Sequence, residues 1–178
     1  MQFLPLTDVN INDVAELVRE TFTHSEGPEE GKLIGQLIHQ LHDTTPEGEW
    51  LGFVAVDNSV LAGAVFFSRL SYPTMPEAAL LSPMAVHPSY QKQGLGQSLI
   101  QHGLNALKEQ GYQLVMTYGD PAFYDRVGFA PISPETIQPP HHLSYPHGWL
   151  GQSLTDAPLI ALRGKPSCVP AFNCADLW

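Results

Sequence analysis

The densest chemistry in the chain lies in Leu81-Ser82-Pro83-Met84-Ala85-Val86-His87-Pro88-Ser89-Tyr90-Gln91-Lys92-Gln93-Gly94-Leu95-Gly96-Gln97-Ser98-Leu99. The pattern predicts a strand ending at Val86, a short loop, and a helix starting at about Gly94. Gly94 and Gly96 remove two Cβ atoms where the chain turns into the helix, so a ligand can approach the backbone closely. The first N–H groups of a helix have no intrahelical partner, and the macrodipole makes that end favourable to anions. This is a cradle for phosphate or pyrophosphate, although two glycines alone also fit an ordinary helix start. A Walker loop needs Gly-Lys-Ser/Thr, and here Gly96 is followed by Gln97-Ser98. A dinucleotide fingerprint needs a third Gly or Ala where Leu99 stands, and no second strand ending in an acid follows. Both nucleotide-loop readings fail.

The 178 residues that position this segment suit a single domain, with 43% hydrophobic and only 15% charged residues. Disorder is excluded by that balance. Eight Lys and Arg against 18 Asp and Glu give a net charge of −10, which argues against nucleic acid as a partner and favours a cationic one. The N-terminus, Met1-Gln2-Phe3-Leu4-Pro5, lacks the pattern of a signal peptide, and no apolar run is long enough to span a membrane. A cytoplasmic location is expected. Cys168 and Cys174 then read as two reduced thiols, with a small disulfide loop as the alternative.

Along the chain, Gln2 to Leu6 reads as a strand, with Thr7 or Asn10 as the cap of a first helix carrying Ile11, Val14, Leu17, Val18 and Phe22. After a break from His24 to Pro28, a second helix carries Leu33, Leu37, Ile38 and Leu41 on one face. Trp50 to Val56 and Val60 to Phe67 form a hairpin around Asp57-Asn58-Ser59. A loop from Tyr72 to Glu77 leads to a strand from Ala78 to Val86, in which Pro83 implies an edge or a bulge. Leu95, Leu99, Ile100, Leu104 and Leu107 mark a helix that Gly111 stops, and Gln113 to Tyr118 is another strand. Asp120-Pro121 opens a short helix in the N-cap and N1 arrangement. Prolines make Ala130 to His147 irregular, and Trp149 to Leu162 holds late strands whose apolar character suits pairing in a homodimer.

Gln91, Gly94 and Gly96 match Gln/Arg-x-x-Gly-x-Gly/Ala, and this pattern resembles the acetyl-CoA signature of the GNAT superfamily of N-acetyltransferases. Tyr124-Asp125-Arg126-Val127-Gly128-Phe129 is similar to the Tyr-x-x-x-Gly-Phe ending of the same family. Gly119-Asp120-Pro121 resembles one branch of it. The resemblance covers about residues 1–131; the Pro-rich loop 131–148 and late strands 149–178 complete one domain, 1–178. It implies an α+β fold: a three-layer α/β/α sandwich with a mixed central sheet, a splayed, bulge-bearing strand, and helices on both faces.

By resemblance, the backbone of Met84, Ala85 and Val86 pairs with the pantetheine arm of CoA and polarises the thioester carbonyl. The amides of Gln91, Lys92, Gln93, Gly94, Leu95, Gly96 and Gln97 hold the pyrophosphate, with the Ser98 hydroxyl and the Lys92 ammonium adding to them. Lys92 is otherwise a solvated loop lysine. Tyr124 is the implied general acid for the leaving thiolate, since a phenol keeps its proton at neutral pH; the alternative is an aromatic that only packs. Phe123 and Phe129 read as core. The commoner family residue at position 120 is Asn, and Asp120 reads here as an N-cap. The implied reaction is direct attack by a neutral primary amine, of a small molecule or an exposed peptide, on the acetyl carbonyl in a ternary complex. Glu20, Glu26, Glu29, Glu77, His24 and His87 are candidate bases. His87 can also merely cap the loop. A non-catalytic CoA-binding module is the alternative function. His141, His142, His147, Cys168 and Cys174 lack the spacing of a structural zinc site, so no metal is expected.

Overall fold

Apolar residues at helical spacing shape the N-terminal region. Strand β1 (Gln2–Pro5) leads to helices α1 (Ile11–Glu26) and α2 (Pro28–Thr44). Asn10, rather than Thr7, caps α1: its side chain accepts the Asn12 N–H at 2.9 Å. Val14, Leu17 and Val18 of α1 and Ile34, Leu37, Ile38 and Leu41 of α2 are buried. Leu33 departs from expectation at 40% exposure, because the apolar stripe of α2 begins one residue later, at Ile34.

The computed structural model describes residues 1–75 and 77–178. They divide into two compact units, Met1–Phe67 with Pro83–Gly103, and Ser68–Ser82 with Leu104–Trp178. In the first unit, β1 pairs antiparallel with β2 (Trp50–Asp57), from Gln2↔Val56 to Pro5↔Phe53. Asn58 and Ser59, with φ of 47° and 69°, make the tight turn into β3 (Val60–Tyr72). The order there is β1-β2-β3-β4, where β4 spans Met75–Val86. Helix α3 (Leu95–Glu109) starts in this unit and ends in the second.

β3 outruns the expected end at Phe67. Ser68, Arg69 and Ser71 interrupt its apolar run, yet Leu70 and Tyr72 are buried. The loop expected from Tyr72 to Glu77 shrinks to Pro73-Thr74.

In the second unit the order is β8-β3-β4-β5-β7-β6, with β5 at Leu114–Tyr118, β6 at Ala130–Pro131, β7 at Trp149–Ser153 and β8 at Ser167–Cys168. The β4–β5 ladder is parallel, from Ala78↔Leu114 to Leu81↔Thr117; β5–β7 is antiparallel, so the sheet is mixed and the class α+β. Pro83, with no N–H to give, lies past the end of that parallel ladder, and β4 is an interior strand rather than an edge. The expected stop of α3 is a paired C-terminal motif: Gly111 N–H bonds Lys108 carbonyl and Tyr112 N–H bonds Leu107 carbonyl, each at 3.0 Å. Strand β7 runs between β5 and β6, and Trp149 and Leu150 are 0% and 1% exposed. These two apolar side chains of the late strand are packed within the chain. The Pro-rich stretch is irregular but pinned: the Trp149 indole N–H bonds Ile137 carbonyl at 2.9 Å, and the Tyr72 hydroxyl bonds Gln138 carbonyl at 2.8 Å.

The helix pair of the first unit depends on Gly31. A Cβ there would overlap the Thr23 hydroxyl and come within 2.6 Å of the Arg19 carbonyl oxygen. Gly31→Ala is expected to cost about 1–3 kcal/mol by forcing α1 and α2 apart, read as a lower midpoint in urea unfolding with an unchanged slope.

Candidate functional site

In the first unit the chain leaves β4 at Val86 through a single turn, Pro88–Tyr90. His87 caps this turn: its Nδ1 accepts the Ser89 N–H at 3.2 Å, and its own N–H bonds Ala62 carbonyl at 2.9 Å. An accepting Nδ1 leaves the neutral ring's proton on Nε2. Two glutamine side chains then fold the loop onto itself. Gln91 Nε2 donates to Val86 carbonyl at 2.9 Å, and Gln93 Nε2 to Ser89 carbonyl at 3.2 Å. The Tyr90 hydroxyl donates to Asp57 Oδ2 at 3.3 Å, tying the loop to the end of β2.

Lys92 and Gly94 both lie in the left-handed region, at φ 60° and 78°. For Lys92 that conformation costs about 1–2 kcal/mol, a strain that tends to collect at ligand sites. A Cβ at Gly94 would meet nothing within 4 Å, so space over its backbone is open. The Ser98 N–H bonds Gly94 carbonyl at 3.1 Å, which makes Gly94 the N-cap and leaves the N–H groups of Leu95, Gly96 and Gln97 without an intrahelical acceptor. Gln91, Lys92, Gln93, Gly94 and Ser98 are exposed, Gln97 and Met84 half-buried, and Ala85, Val86, Leu95 and Gly96 buried. Expected site residues Met84 to Ser98 thus lie in one unit, with three helix-start amides that no intrahelical carbonyl accepts. That arrangement can bind an anion.

In the second unit, Tyr124 ends the short helix α4 (Pro121–Tyr124). Asp120 caps it, with Oδ1 accepting the Ala122 N–H at 3.0 Å and its carbonyl accepting the Phe123 and Tyr124 N–H groups at 3.2 Å. The Tyr124 ring meets Phe123 and Phe129 edge to face, at centroid distances of 5.1 and 5.6 Å. Phe129 is buried, as expected of core, and Phe123 half-buried. Burial pushes the Tyr124 phenol above its ordinary range and the Asp120 charge adds to this, while hydrogen bonding with Thr117 pulls the other way. The group keeps its proton at neutral pH and can donate it.

Three supporting residues escaped sequence reasoning. Gly119 leaves room for the tyrosine: a Cβ there would lie 2.6 Å from Tyr124 Cε2. Thr117 acts on the phenol against the effect of burial, and Gln152 Nε2 holds Val127 carbonyl at 3.0 Å in the turn after Tyr124. Only Gly119 left a signal, as part of Gly-Asp-Pro.

The candidate bases fall in both units. Glu20, His24, Glu26 and Glu29 are exposed on α1 and α2 of the first unit, whereas Glu77 belongs to the second. Among the described residues, no three His, Cys, Asp or Glu side chains cluster as metal ligands. His141 Nε2 is instead 3.0 Å from Asn173 Oδ1. Cys168 and Cys174 are unbonded, and no helix among the described residues is long and apolar enough to cross a membrane.

Residues 48–131 match the model of the acetyltransferase (GNAT) domain. The chain is 30% identical over 163 residues to the Escherichia coli (strain K12) uncharacterized N-acetyltransferase YjhQ, covering 88% of this chain and 86% of that one. It is 37% identical over 116 residues to the uncharacterized N-acetyltransferase YhbS of the same organism, a stretch spanning 64% of each protein. A crystal structure of the Escherichia coli GNAT family N-acetyltransferase YhbS in complex with CoA superposes with a TM-score of 0.79 at 27% identity, covering 97% of this chain and 92% of that one. The chain belongs to the GNAT family of acetyltransferases.

Because Gly119 makes room for the aromatic ring, Gly119→Ala is expected to displace Tyr124 while leaving the loop of the first unit intact. The outcome to measure is a loss of near-ultraviolet tyrosine dichroism, with CoA affinity changed less than about threefold, roughly 0.6 kcal/mol.

Proposed function

We propose that this chain is an acetyl-CoA-dependent N-acetyltransferase acting on a primary amine. The observation that carries the reading is the set of open amides at Leu95, Gly96 and Gln97 behind Gly94, in a chain of this family. CoA is strongly anionic and the chain carries −10, so the pyrophosphate is held by backbone dipoles from Gln91 to Gln97, with Lys92 and the Ser98 hydroxyl adding to them. The backbone of Met84, Ala85 and Val86 takes the pantetheine arm and orients the thioester. Acetyl-CoA supplies the activated acyl group.

Tyr124 then holds a proton for the departing sulfur. A phenol held above its ordinary range stays protonated throughout the neutral range and is available as the carbon–sulfur bond breaks. The acceptor in this proposal is a small-molecule or peptide amine, and a cationic one, because the acidic surplus is not needed for CoA. Residues 1–178 act as one domain, and the two unbonded thiols suit a cytoplasmic enzyme.

The test combines CoA titration with thiol release from acetyl-CoA in the presence of a polyamine, an aminoglycoside and a lysine-bearing peptide. CoA binding is expected, with release for at least one amine. Tyr124→Phe is expected to lower kcat about 100-fold or more without changing CoA affinity. Binding with no release under any amine would instead leave a CoA-binding module.

A further inference from the structure

We propose that Asp57 is a positioning residue for CoA: through the Tyr90 hydroxyl it anchors the phosphate-binding loop to the end of β2, so that the cradle is ordered before the ligand arrives. The proposal rests on the reading of Gln91 to Gln97 as the pyrophosphate cradle. All the groups concerned lie in the first unit.

The loop between β4 and α3 is tied largely to itself. His87 Nδ1 takes the Ser89 amide, Gln93 Nε2 donates to Ser89 carbonyl, and Gln91 Nε2 reaches back only to Val86, the last residue of β4. The Tyr90 amide closes the turn on His87 carbonyl at 2.8 Å. Bonds of this kind set the loop's own shape and do not fix its place on the sheet. Two hydrogen bonds to neighbouring strands do that. At the start of the loop, His87 N–H bonds Ala62 carbonyl of β3 at 2.9 Å. Just before Gln91, the Tyr90 hydroxyl donates to Asp57 Oδ2 at 3.3 Å.

Asp57 is itself held for this task. It closes β2, next to Val56, which pairs with Gln2 of β1, and the left-handed pair Asn58 and Ser59 follows it. Asn58 Nδ2 donates to Asp57 Oδ1 at 3.4 Å, and the Met1 ammonium stands 3.9 Å from the same oxygen. Both contacts fall on Oδ1, which leaves Oδ2 to the tyrosine. Asp57 and Tyr90 are each half-buried, and the Tyr90 ring meets the His87 ring edge to face at a centroid distance of 6.2 Å. Burial, the Asp57 charge and this hydrogen bond all hold the Tyr90 phenol above its ordinary range, so its O–H remains the donor.

The residues after Tyr90 give the anchor its consequence. The chain passes through two left-handed positions, Lys92 and Gly94, and then reaches the amides of Leu95, Gly96 and Gln97, which no intrahelical carbonyl accepts. A side chain held in that strained region persists where the chain is fixed on both sides. Helix α3 fixes the far side of Lys92, and Tyr90 fixes the near side. A loop ordered in advance spares the ligand the entropy of ordering it. Loss of the anchor therefore weakens CoA binding and leaves acyl transfer alone.

The experiment compares Tyr90→Phe, which keeps the ring and removes the hydroxyl, with Asp57→Ala and Asp57→Asn. CoA affinity is read by calorimetry, which needs no acceptor; kcat and KM for acetyl-CoA are read with the best amine of the panel above. Tyr90→Phe is expected to weaken CoA binding about threefold to tenfold and to raise KM by the same factor, with kcat within about twofold. Asp57→Ala does the same, and the double variant binds no more weakly than either single one. Asp57→Asn, whose amide oxygen still accepts, stays within about twofold of the unaltered protein. Amide hydrogen exchange over residues 91–97 is expected to quicken in Tyr90→Phe without ligand and to return to ordinary protection at saturating CoA. Should Asp57→Ala fold poorly, Asp57→Leu fills the same place without an acceptor and is expected to give the same loss. Unchanged CoA affinity or exchange in Tyr90→Phe, additive losses in the double variant, a fall in kcat in place of affinity, or no rescue by asparagine overturns the proposal. No CoA binding by the unaltered protein overturns the reading of the cradle instead, while exchange in the free protein still decides whether the Tyr90 hydroxyl holds the loop.

Discussion

The amides of Leu95, Gly96 and Gln97 begin a 15-residue helix with no intrahelical carbonyl to accept them, and the loop before them takes its own hydrogen bonds elsewhere. A loop that folded back on the helix start would supply acceptors and close the cradle. Here the loop's polar side chains bond other groups instead. Gln91 and Gln93 bond carbonyls of Val86 and Ser89, and His87 bonds the Ser89 amide, so the loop satisfies itself on its own side. Lys92 and Gly94 take left-handed backbone at the turn into the helix. Dipoles fixed by the backbone can hold a polyanion with few lysines, which reconciles a phosphate cradle with eight basic residues against 18 acidic ones.

A different constraint governs the second unit: an aromatic ring must be held at the end of a helix only four residues long. So short a helix has little stability of its own. Its geometry is imposed from outside. Asp120 satisfies the Ala122 amide at its start, Gln152 holds Val127 carbonyl beyond its end, and Gly119 leaves space for the ring. Phe123 and Phe129 then fix the tilt of the ring through edge-to-face contacts.

Local signals carried most of what could be read in advance. The stripes of α1 and α2, the turn at Asn58-Ser59, the stop at Gly111 and the cap at Asp120 each follow from residues within a few positions of one another. Expectation failed where the deciding partner is remote in sequence. β3 continues past Phe67 because Leu70 and Ser71 pair with Cys168 and Ser167, almost a hundred residues on. The late strand at Trp149–Ser153 takes its place between β5 and β6 from partners distant in sequence, an order that no local pattern reveals. The same holds at the candidate site. Gly94, Gly96 and Tyr124 form local motifs, whereas Thr117 and Gln152 act through space and carry no mark in the sequence.

Asp120 shows how one residue serves two ends. Asn and Asp are equally good N-caps, so capping alone gives no reason for a charge at this position. The charge does act on Tyr124, in the same direction as burial, and both favour the protonated phenol. A proton held too firmly is a poor one to donate, since transfer is most efficient when donor and operating pH are matched. Thr117 supplies the opposing influence, because hydrogen bonding from its side chain favours the ionised phenol and draws the shift back down. An asparagine cap would leave burial and Thr117 to set the balance between them. With aspartate the phenol remains protonated to higher pH, and the neutral donor is preserved under the alkaline conditions in which an amine acceptor is most fully deprotonated and most nucleophilic.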